Sequence, residues 1–401
     1  MEVVTAAAPA TRSPAVAPAL LVTAVLLLAL NLRGPIVAVS PVTGTIQADL
    51  GIDAATAGLL TSLPVLCFGL ATPLASALLK RLGLGRGVLV ALAVLLAGIV
   101  VRSLGGLPAA VAGTVAIGAA ITVANVAVPV VIGRELPRHS GAALGGYTAA
   151  LNVGSMLTLS LTVPIAGVTG WRFALAASGA LVLVSALVWW WATRGLPDGR
   201  PAVADPEPGA GADWWRRPVT WGLTVAFAGQ AFAYYGVTAW LPALLRDRLG
   251  MDPSAAGLSS SIFQIAALAG AVGVPLILRF ASARAALDTV GAAWLTLPLG
   301  LLLAPSGWAL WCALGGAAQG GGITAIFALV VRRARDLAES RRMSALVQGG
   351  GYTVAAAGPF VVGAAHQASG GWTAPLLVVL AAVGVLVVVG TAAAGPGRIR
   401  A

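Results

Sequence analysis

An arginine lies inside the first long apolar stretch of the sequence, where a charged side chain is costly. Arg33 stands in LLLALNLRGPIVAVSP (residues 26–41), two residues after Asn31, and apolar residues resume at Ile36. A guanidinium group stays protonated at physiological pH and offers a planar fork of donors, which suits an anion or another electron-rich group. The residue type therefore indicates a recognition site for such a group and not a proton switch.

Three environments are open to Arg33: a central water-filled cavity, a structural contact with main-chain carbonyls, and snorkelling to the headgroups. If its helix begins near Pro18, Arg33 lies about 22 Å along that helix at 1.5 Å per residue. Helical side chains lean toward the helix N-terminus, which here means toward the bilayer centre. Because exposure to lipid would cost a few kcal/mol, we expect Arg33 to face a cavity.

Neutral polar residues stand at matching depths in other apolar stretches. With Arg33, the candidate substrate contacts are Asn31, Asn125, Tyr147, Gln230, Tyr234, Gln264, Gln319 and Gln348. For each neutral residue the alternative role is an interhelical hydrogen bond, worth about 0.6 kcal/mol. Asn31 and Arg33 lie about 200° apart around a helix, so one of them should hold a neighbouring helix. Asn152 belongs to the same polar ring, and Tyr352 and Trp240 have either packing or site roles.

Clusters of glycine and proline mark candidate moving parts. They are GGAAQGGG (315–322), QGGGY (348–352) and the Gly-Pro pair after Arg33. The predicted gating or hinge residues are Gly34, Pro35, Gly320 and Gly350. Small residues also allow close static packing of helices, and that alternative stays open.

The composition excludes an ordinary soluble protein. Of the 401 residues, 59% are hydrophobic and 9% are charged, whereas a soluble domain carries roughly 25% charged residues. The net charge of +11 is spread between apolar stretches, which is typical of membrane topology and not of nucleic-acid binding. We expect no metal and no cofactor, because the two histidines and two cysteines are scattered and all thirteen acidic residues lie in connections or at helix ends.

Twelve stretches are long enough to cross the roughly 30 Å of hydrocarbon in a bilayer, which takes about 20 residues. This predicts an all-α polytopic membrane protein with two six-helix bundles. The twelve predicted spans are 18–41, 55–79, 87–104, 108–133, 141–165, 171–193, 218–244, 254–278, 285–304, 307–331, 342–366 and 372–394. The predicted domains are an N-terminal tail (1–17), a first bundle (18–193), a linker (194–217), a second bundle (218–394) and a C-terminal tail (395–401).

Basic residues predict the orientation of these spans. Of the 24 lysines and arginines, 19 lie in the even-numbered connections and the two tails. Four are assigned to the odd-numbered connections: Arg102, Arg172, Arg246 and Arg248. Since basic residues concentrate on the cytoplasmic side, both termini are expected in the cytoplasm.

The two halves of the chain repeat one another. LGIDAATAGLLTS (50–62) aligns with LGMDPSAAGLSSS (249–261) at an offset of 199 residues, and Gly-Trp recurs at 170–171 and 371–372. Six spans in each half make the repeats parallel, and in such proteins the substrate site lies near the midplane between the halves.

Several segments together resemble one transporter family. They are LNLRGPIVAVSPV, AGLLTSLPVLCFGL and NVAVPVVIGRELP in the first half, and WLPALLRDRLGMDPSAAG, AQGGGITAIFALVVRRARD and SALVQGGGYTVAAAGPFVVGAAHQASGGW in the second. The chain resembles the major facilitator superfamily, and more narrowly its cyanate permease and 2-nitroimidazole transporter family. The resemblance implies the major facilitator fold, alternating access, a bacterial inner-membrane location and a monomer among lipids.

Function is expected to be the transport of a small anion or polar organic solute, cyanate-like or nitroimidazole-like. The alternative is an exporter of neutral or cationic drugs or metabolites; a cation exporter would be expected to carry a carboxylate inside the spans. A membrane enzyme or a receptor is a further class. The sequence has no HExxH or GxSxG motif and no long soluble segment to support either.

Overall fold

The computed structural model describes residues 18–194 and 213–395, and these are almost entirely helical. Ten described stretches are long and apolar enough to cross a membrane. The Ala54–Leu70 helix, continued beyond Thr72, and the long Pro218–Leu249 helix complete twelve spans. The predicted fold class is therefore confirmed. The predicted N-terminal tail, the predicted C-terminal tail apart from Gly395, and most of the predicted linker lie outside the described residues. The domain boundaries stay a prediction.

The first six spans form one bundle, here called the N-bundle. A single helical run, Thr72–Leu104, contains the end of span 2 and all of span 3, which meet at the non-helical Gly83. The helices are Pro18–Asn31, Gly34–Val37, Ser40–Val42 and Thr43–Leu50 in span 1; Ala54–Leu70 and Thr72–Leu104 in spans 2 and 3; Leu107–Glu135 in span 4; Ser140–Thr169 in span 5; and Trp171–Thr193 in span 6.

The last six spans form the C-bundle, in which spans 8 and 11 each consist of two helices. The helices are Pro218–Leu249 in span 7; Pro253–Ile265 and Ala267–Phe280 in span 8; Ala283–Leu303 in span 9; Trp308–Arg333 in span 10; Leu337–Ala355 and Ala357–Ser369 in span 11; and Thr373–Ala394 in span 12. Because both described ends lie on one face, we call it the terminus side and the opposite face the far side.

Each bundle has its own apolar core. One large cluster of buried residues comes almost entirely from the C-bundle, and a second comes entirely from the N-bundle. A third, smaller cluster closes the far end of the N-bundle around Trp171. Two separate cores allow the bundles to move as units relative to one another.

The repeated sequence folds into repeated local structure. Gly51 and Gly250 end spans 1 and 7 in the left-handed conformation (φ 62° and 65°), which favours glycine. Asp53 accepts from the Thr56 N–H, and Asp252 accepts from two N–H groups at the start of span 8. Hydrogen bonds from Thr56 lower the pKa of the Asp53 carboxyl.

The two bundles pack closely on the far side. A Cβ built on Gly58 of span 2 would lie 2.6 Å from the Pro359 carbonyl oxygen of span 11, and one on Gly257 of span 8 would lie 2.7 Å from the Leu159 carbonyl oxygen of span 5. Gly58 and Gly257 occupy the same position in the two repeats. Toward the terminus side, the second helix of span 8 has far fewer contacts with span 5 than the first helix has.

Spans 8 and 10 approach even more closely within the C-bundle. A Cβ on Gly270 would lie 1.7 Å from the Ala317 carbonyl oxygen, and one on Gly320 would lie 2.1 Å from the Ala267 carbonyl oxygen. Gly320, a predicted hinge, thus lies at a backbone-to-backbone contact, and its hinge role stays a prediction.

Gly270→Ala is expected to destabilise the protein, because no side chain fits between spans 8 and 10. Overpacking of this kind typically costs about 1–3 kcal/mol, and the thermal unfolding temperature of the detergent-solubilised protein should fall. Gly273→Ala is the matched control, since a Cβ at Gly273 meets nothing within 4 Å. Equal unfolding temperatures for the two variants would contradict the close packing.

Candidate functional site

Span 1 is broken where Arg33 lies. Its first helix ends at Asn31, and Arg33 has φ −121° and ψ −33° as the residue before the short helix Gly34–Val37. Pro35 accounts for the break, because proline has no N–H and its ring clashes with the carbonyl four residues earlier, that of Asn31. The Arg33 carbonyl accepts from the N–H groups of Ile36 and Val37, both at 3.1 Å.

The Arg33 side chain contacts both bundles. Its Nη1 donates to Oδ1 of Asn152 in span 5 at 3.3 Å, and its guanidinium carbon lies 5.2 Å from the ring centre of Tyr234 in span 7. Arg33 forms no salt bridge with a carboxylate among the described residues. Its two contacts, an amide oxygen and an aromatic ring, are uncharged, so the positive charge of Arg33 is not neutralised by them.

All four tyrosines of the chain surround this arginine. Tyr147, Tyr234, Tyr235 and Tyr352 come from spans 5, 7 and 11, and all four lie near Arg33. The Tyr234 and Tyr235 ring centres lie 4.8 Å apart, and those of Tyr235 and Tyr352 lie 6.3 Å apart. The site therefore has a positive centre with aromatic walls.

A narrow cavity lies beside Arg33, with room for about one water molecule. It is bounded by both bundles, on one side by span 1 and on the other by span 7. Its lining residues are Arg33, Ile36, Val37, Ser40, Thr61, Tyr234, Tyr235, Thr238 and Ala239.

Two of the predicted residues, Asn125 and Gln264, hold the tyrosine walls in place. Tyr147 donates its hydroxyl hydrogen to Oδ1 of Asn125 at 2.9 Å. Tyr234 donates to Oε1 of Gln264 at 3.3 Å, and Gln264 in turn donates to the Thr238 hydroxyl at 3.2 Å. The structure thus brings Tyr147 and Tyr234 close to Arg33 and places Asn125 and Gln264 one contact further away.

Asn31 and Gln230 lie in contacts between helices. Asn31 donates to the Ser185 hydroxyl of span 6 at 2.7 Å. It therefore holds a neighbouring helix, which is one of the two roles considered for it above. Gln230 is fully buried, donates to the Gln319 carbonyl at 2.8 Å and accepts from the Trp294 ring N–H at 2.7 Å. Neither lines the cavity, and their roles as substrate contacts stay predictions.

The remaining predicted residues also lie away from the cavity lining. The Gln319 side chain is buried, and its Nε2 has no partner among the described atoms. Gln348 is exposed. Of the predicted hinges, Gly34 packs near Thr158 and Gly350 near Thr224.

Sequence reasoning missed several residues of the site. Ser40, Thr61 and Thr238 line the cavity as hydroxyls, a residue type too common in membrane helices to stand out. Arg102 was assigned to a connection, but it lies in span 3 with 1% of its surface exposed. The repeat offset was a usable signal, because Ser40 and Ala239 lie 199 residues apart and touch across the two bundles.

Ser40 separates the cavity from the far side. Its hydroxyl lies 2.7 Å from the carbonyl oxygens of both Thr238 and Ala239 in span 7. The Thr238 carbonyl is free to accept because Pro242, four residues later, has no N–H. Beyond this contact lies a cavity of about 330 Å³, here called the vestibule. It is lined by Thr43, Gly44, Gln47, Ala54, Trp240, Ala243, Arg246, Asp247, His366, Gln367 and Gly370.

Ser40→Ala is expected to favour opening on the far side. Loss of one hydrogen bond costs about 1 kcal/mol, which shifts the ratio of closed to open molecules about fivefold. Distances between spin labels at Gln47 and Gln367, on opposite bundles, should lengthen in a background where Cys67 and Cys312 are alanine. Ser178→Ala is the control, because the Ser178 hydroxyl donates only within its own helix. An unchanged distance distribution would show that Ser40 does not hold this closure.

Comparison with known proteins identifies similar transporters. The profile of the Major Facilitator Superfamily matches residues 19–313. The uncharacterized transporter YycB of Bacillus subtilis is 32% identical over 95% of this chain and 94% of that protein. The 2-nitroimidazole transporter and the cyanate transport protein CynX, both of Escherichia coli, are 29% and 25% identical. They match 89% and 86% of this chain and 91% and 90% of their own lengths.

Solved structures share the fold at lower sequence identity. A bacterial homolog of the human lysosomal transporter Spinster, inward-facing and unoccupied, aligns with a TM-score of 0.75 at 17% identity, covering 94% of this chain and 96% of that chain. The D-xylose–proton symporter aligns with a TM-score of 0.70 at 14% identity, covering 91% and 96%. The chain therefore belongs to the major facilitator superfamily of transporters.

Proposed function

We propose that this transporter moves a small anion, or a polar solute with a negative or electron-rich group, across the cytoplasmic membrane by alternating access. Arg33 binds that group. The observation that carries the proposal is the uncompensated guanidinium between the two bundles, held by Asn152 and Tyr234 and by no carboxylate among the described residues.

Electrostatics favours a negative cargo. Removing a cation from water is expensive unless an opposite charge or strong acceptors replace the water. An anion that enters the site supplies that charge, and the low local dielectric strengthens its attraction to Arg33. Acidic residues within the described spans stand only near the span ends, so the protein itself provides no competing counter-ion at this depth.

The aromatic walls suit a flat cargo as well as a small one. The names of two relatives refer to cyanate, a small linear anion, and to 2-nitroimidazole, a planar heterocycle. Stacking on tyrosine faces would favour the heterocycle, and the guanidinium fork would bind its nitro oxygens or the charge of cyanate. Both remain candidates for the same site.

The terminus side is proposed to face the cytoplasm, as the distribution of basic residues predicts. With that orientation, closure on the far side means that the protein is closed toward the outside. A monomer is proposed, as the resemblance to the family implies.

Uptake and counterflow in proteoliposomes test this function. Radiolabelled cyanate and 2-nitroimidazole are the probes, ethidium represents a cationic drug, and protein-free liposomes give the background. Saturable flux of cyanate or 2-nitroimidazole is expected. Flux of ethidium without flux of either other probe would replace the proposal with the alternative, export of cations.

A further inference from the structure

A second arginine is buried in the N-bundle, behind the break in span 1. Arg102 stands near the far end of span 3, with 1% of its surface exposed, and its Nη1 donates to the Pro35 carbonyl at 2.5 Å. Pro35 is two residues from Arg33. Both guanidinium groups are thus linked to the same short stretch of span 1: Arg33 belongs to it, and Arg102 is hydrogen-bonded to it.

The Pro35 carbonyl lacks its usual main-chain donor because the helix is interrupted after Val37. In a continuous helix this carbonyl would accept from the N–H of Val39. The helix Gly34–Val37 ends before Val39, and span 1 resumes only with Ser40–Val42. Arg102 supplies a charged donor at this position, and hydrogen bonds to charged donors are stronger than those between neutral groups.

Burial is unfavourable for the Arg102 guanidinium. Its Nε and Nη2 have no hydrogen-bond partner among the described residues, and it forms no salt bridge there. A buried guanidinium with unmet donors is costly. An apolar side chain would fill the space without that cost, so its contribution must lie in the contact that it does make.

We propose that Arg102 is a positioning residue: by holding the Pro35 carbonyl, it fixes the short helix that follows the break in span 1 and keeps Arg33 directed into the cavity. Without this contact the helix Gly34–Val37 would be free to move, and the Arg33 side chain would leave Asn152 and Tyr234. Arg102 thus acts on cargo only through Arg33. The consequence for cargo rests on the proposed function, whereas the consequence for span 1 does not.

Hydrogen–deuterium exchange tests the effect on span 1 directly. In Arg102→Met, exchange of the amides between Ile36 and Val39 should accelerate about tenfold or more, because a main-chain constraint is lost. Arg102→Lys keeps a charged donor and should remain closer to wild type. Arg248→Met is the matched control. Arg248 also lies on the far side and donates to a main-chain carbonyl, that of Leu301, but it does so within the C-bundle and away from span 1. Unchanged exchange in Arg102→Met would overturn the proposal.

Transport kinetics test the effect on Arg33. The KM for cyanate uptake should rise about tenfold in Arg102→Met and recover in part in Arg102→Lys, while Arg248→Met stays at the wild-type value. Loss of transport with unchanged exchange would overturn positioning. If wild type transports no probe but exchange in Arg102→Met still accelerates, the proposed function fails and the positioning role stands.

A folding defect in Arg102→Met would move the test to two other variants. Arg102→Lys and Arg102→Gln both keep a donor, but only lysine keeps the charge. Positioning by a charged donor predicts slower exchange between Ile36 and Val39 in the lysine variant than in the glutamine variant. Equal exchange in the two variants would contradict the proposal.

Discussion

Arg33→Ala is expected to reduce cyanate uptake at low substrate concentration by roughly 30-fold or more. Removing one partner from a desolvated charge pair typically costs about 2–5 kcal/mol, and each 1.4 kcal/mol is a factor of ten in affinity. Arg33→Lys should retain little activity, because a single ammonium cannot reproduce a planar fork of donors. Initial rates in proteoliposomes, taken over a range of cyanate concentrations, give the effect on KM and kcat.

A loss of uptake must be distinguished from a failure of the variant to insert or fold. Arg172→Ala is the matched control, because Arg172 forms an exposed pair with Asp49 on the far side and such pairs contribute little. Both alanine variants should insert, elute as a single species and unfold near the wild-type temperature. Wild-type uptake by a correctly inserted Arg33→Ala protein would remove Arg33 from the substrate site.

Tyr234→Ala is expected to have the second largest effect. The Tyr234 ring lies against the Arg33 guanidinium, and a desolvated cation–π contact is worth about 2 kcal/mol. The same substitution removes the wall that Tyr234 forms with Tyr235. Uptake at low substrate concentration should therefore fall about 30-fold.

Two further variants assign this effect to the ring. Tyr234→Phe keeps the ring and loses only the hydrogen bond to Gln264, so a loss of about fivefold is expected. Phe280→Ala removes a ring that also pairs with an arginine, Arg279, but lies exposed at the end of span 8. It should leave uptake unchanged. If Tyr234→Phe were as defective as Tyr234→Ala, the hydroxyl and not the ring would be the important group.

The spans were predictable because the bilayer imposes a length and an apolar composition on every crossing helix. Turn chemistry was also readable: the Gly-x-Asp pattern at 51–53 and 250–252 became a helix end followed by a helix cap. The break in span 1 had a local cause as well, because Pro35 follows Arg33 closely. The position of the break was therefore visible in the sequence. The end of span 1 was not, because the span continues to Leu50 and was predicted to end at residue 41.

The direction of polar side chains was not predictable in the same way. Gln230 and Tyr234 are four residues apart on span 7, yet Gln230 packs against spans 9 and 10 while Tyr234 faces Arg33. Nothing in the hydropathy of span 7 distinguishes these two environments. Which face of a helix meets the cavity depends on how the neighbouring helices pack, and local sequence contains little of that information.

The burial of Arg102 was also not predictable from the sequence. Near the end of an apolar stretch, an arginine is ordinarily expected to reach the membrane surface. Here spans 3 and 4 pack backbone to backbone, and a Cβ built on Gly113 would lie 2.4 Å from the Arg102 nitrogen. That close approach buries the residue, and only the assembled bundle reveals it.

Calorimetric binding of cyanate to the purified wild-type protein and to Arg33→Gln tests the central claim most directly, because glutamine keeps a polar side chain and removes only the charge and the fork. The account predicts saturable binding to wild type that weakens as salt concentration rises, and no measurable binding to an Arg33→Gln protein of unchanged unfolding temperature. Equal cyanate affinity of the two proteins would show that Arg33 does not bind the cargo.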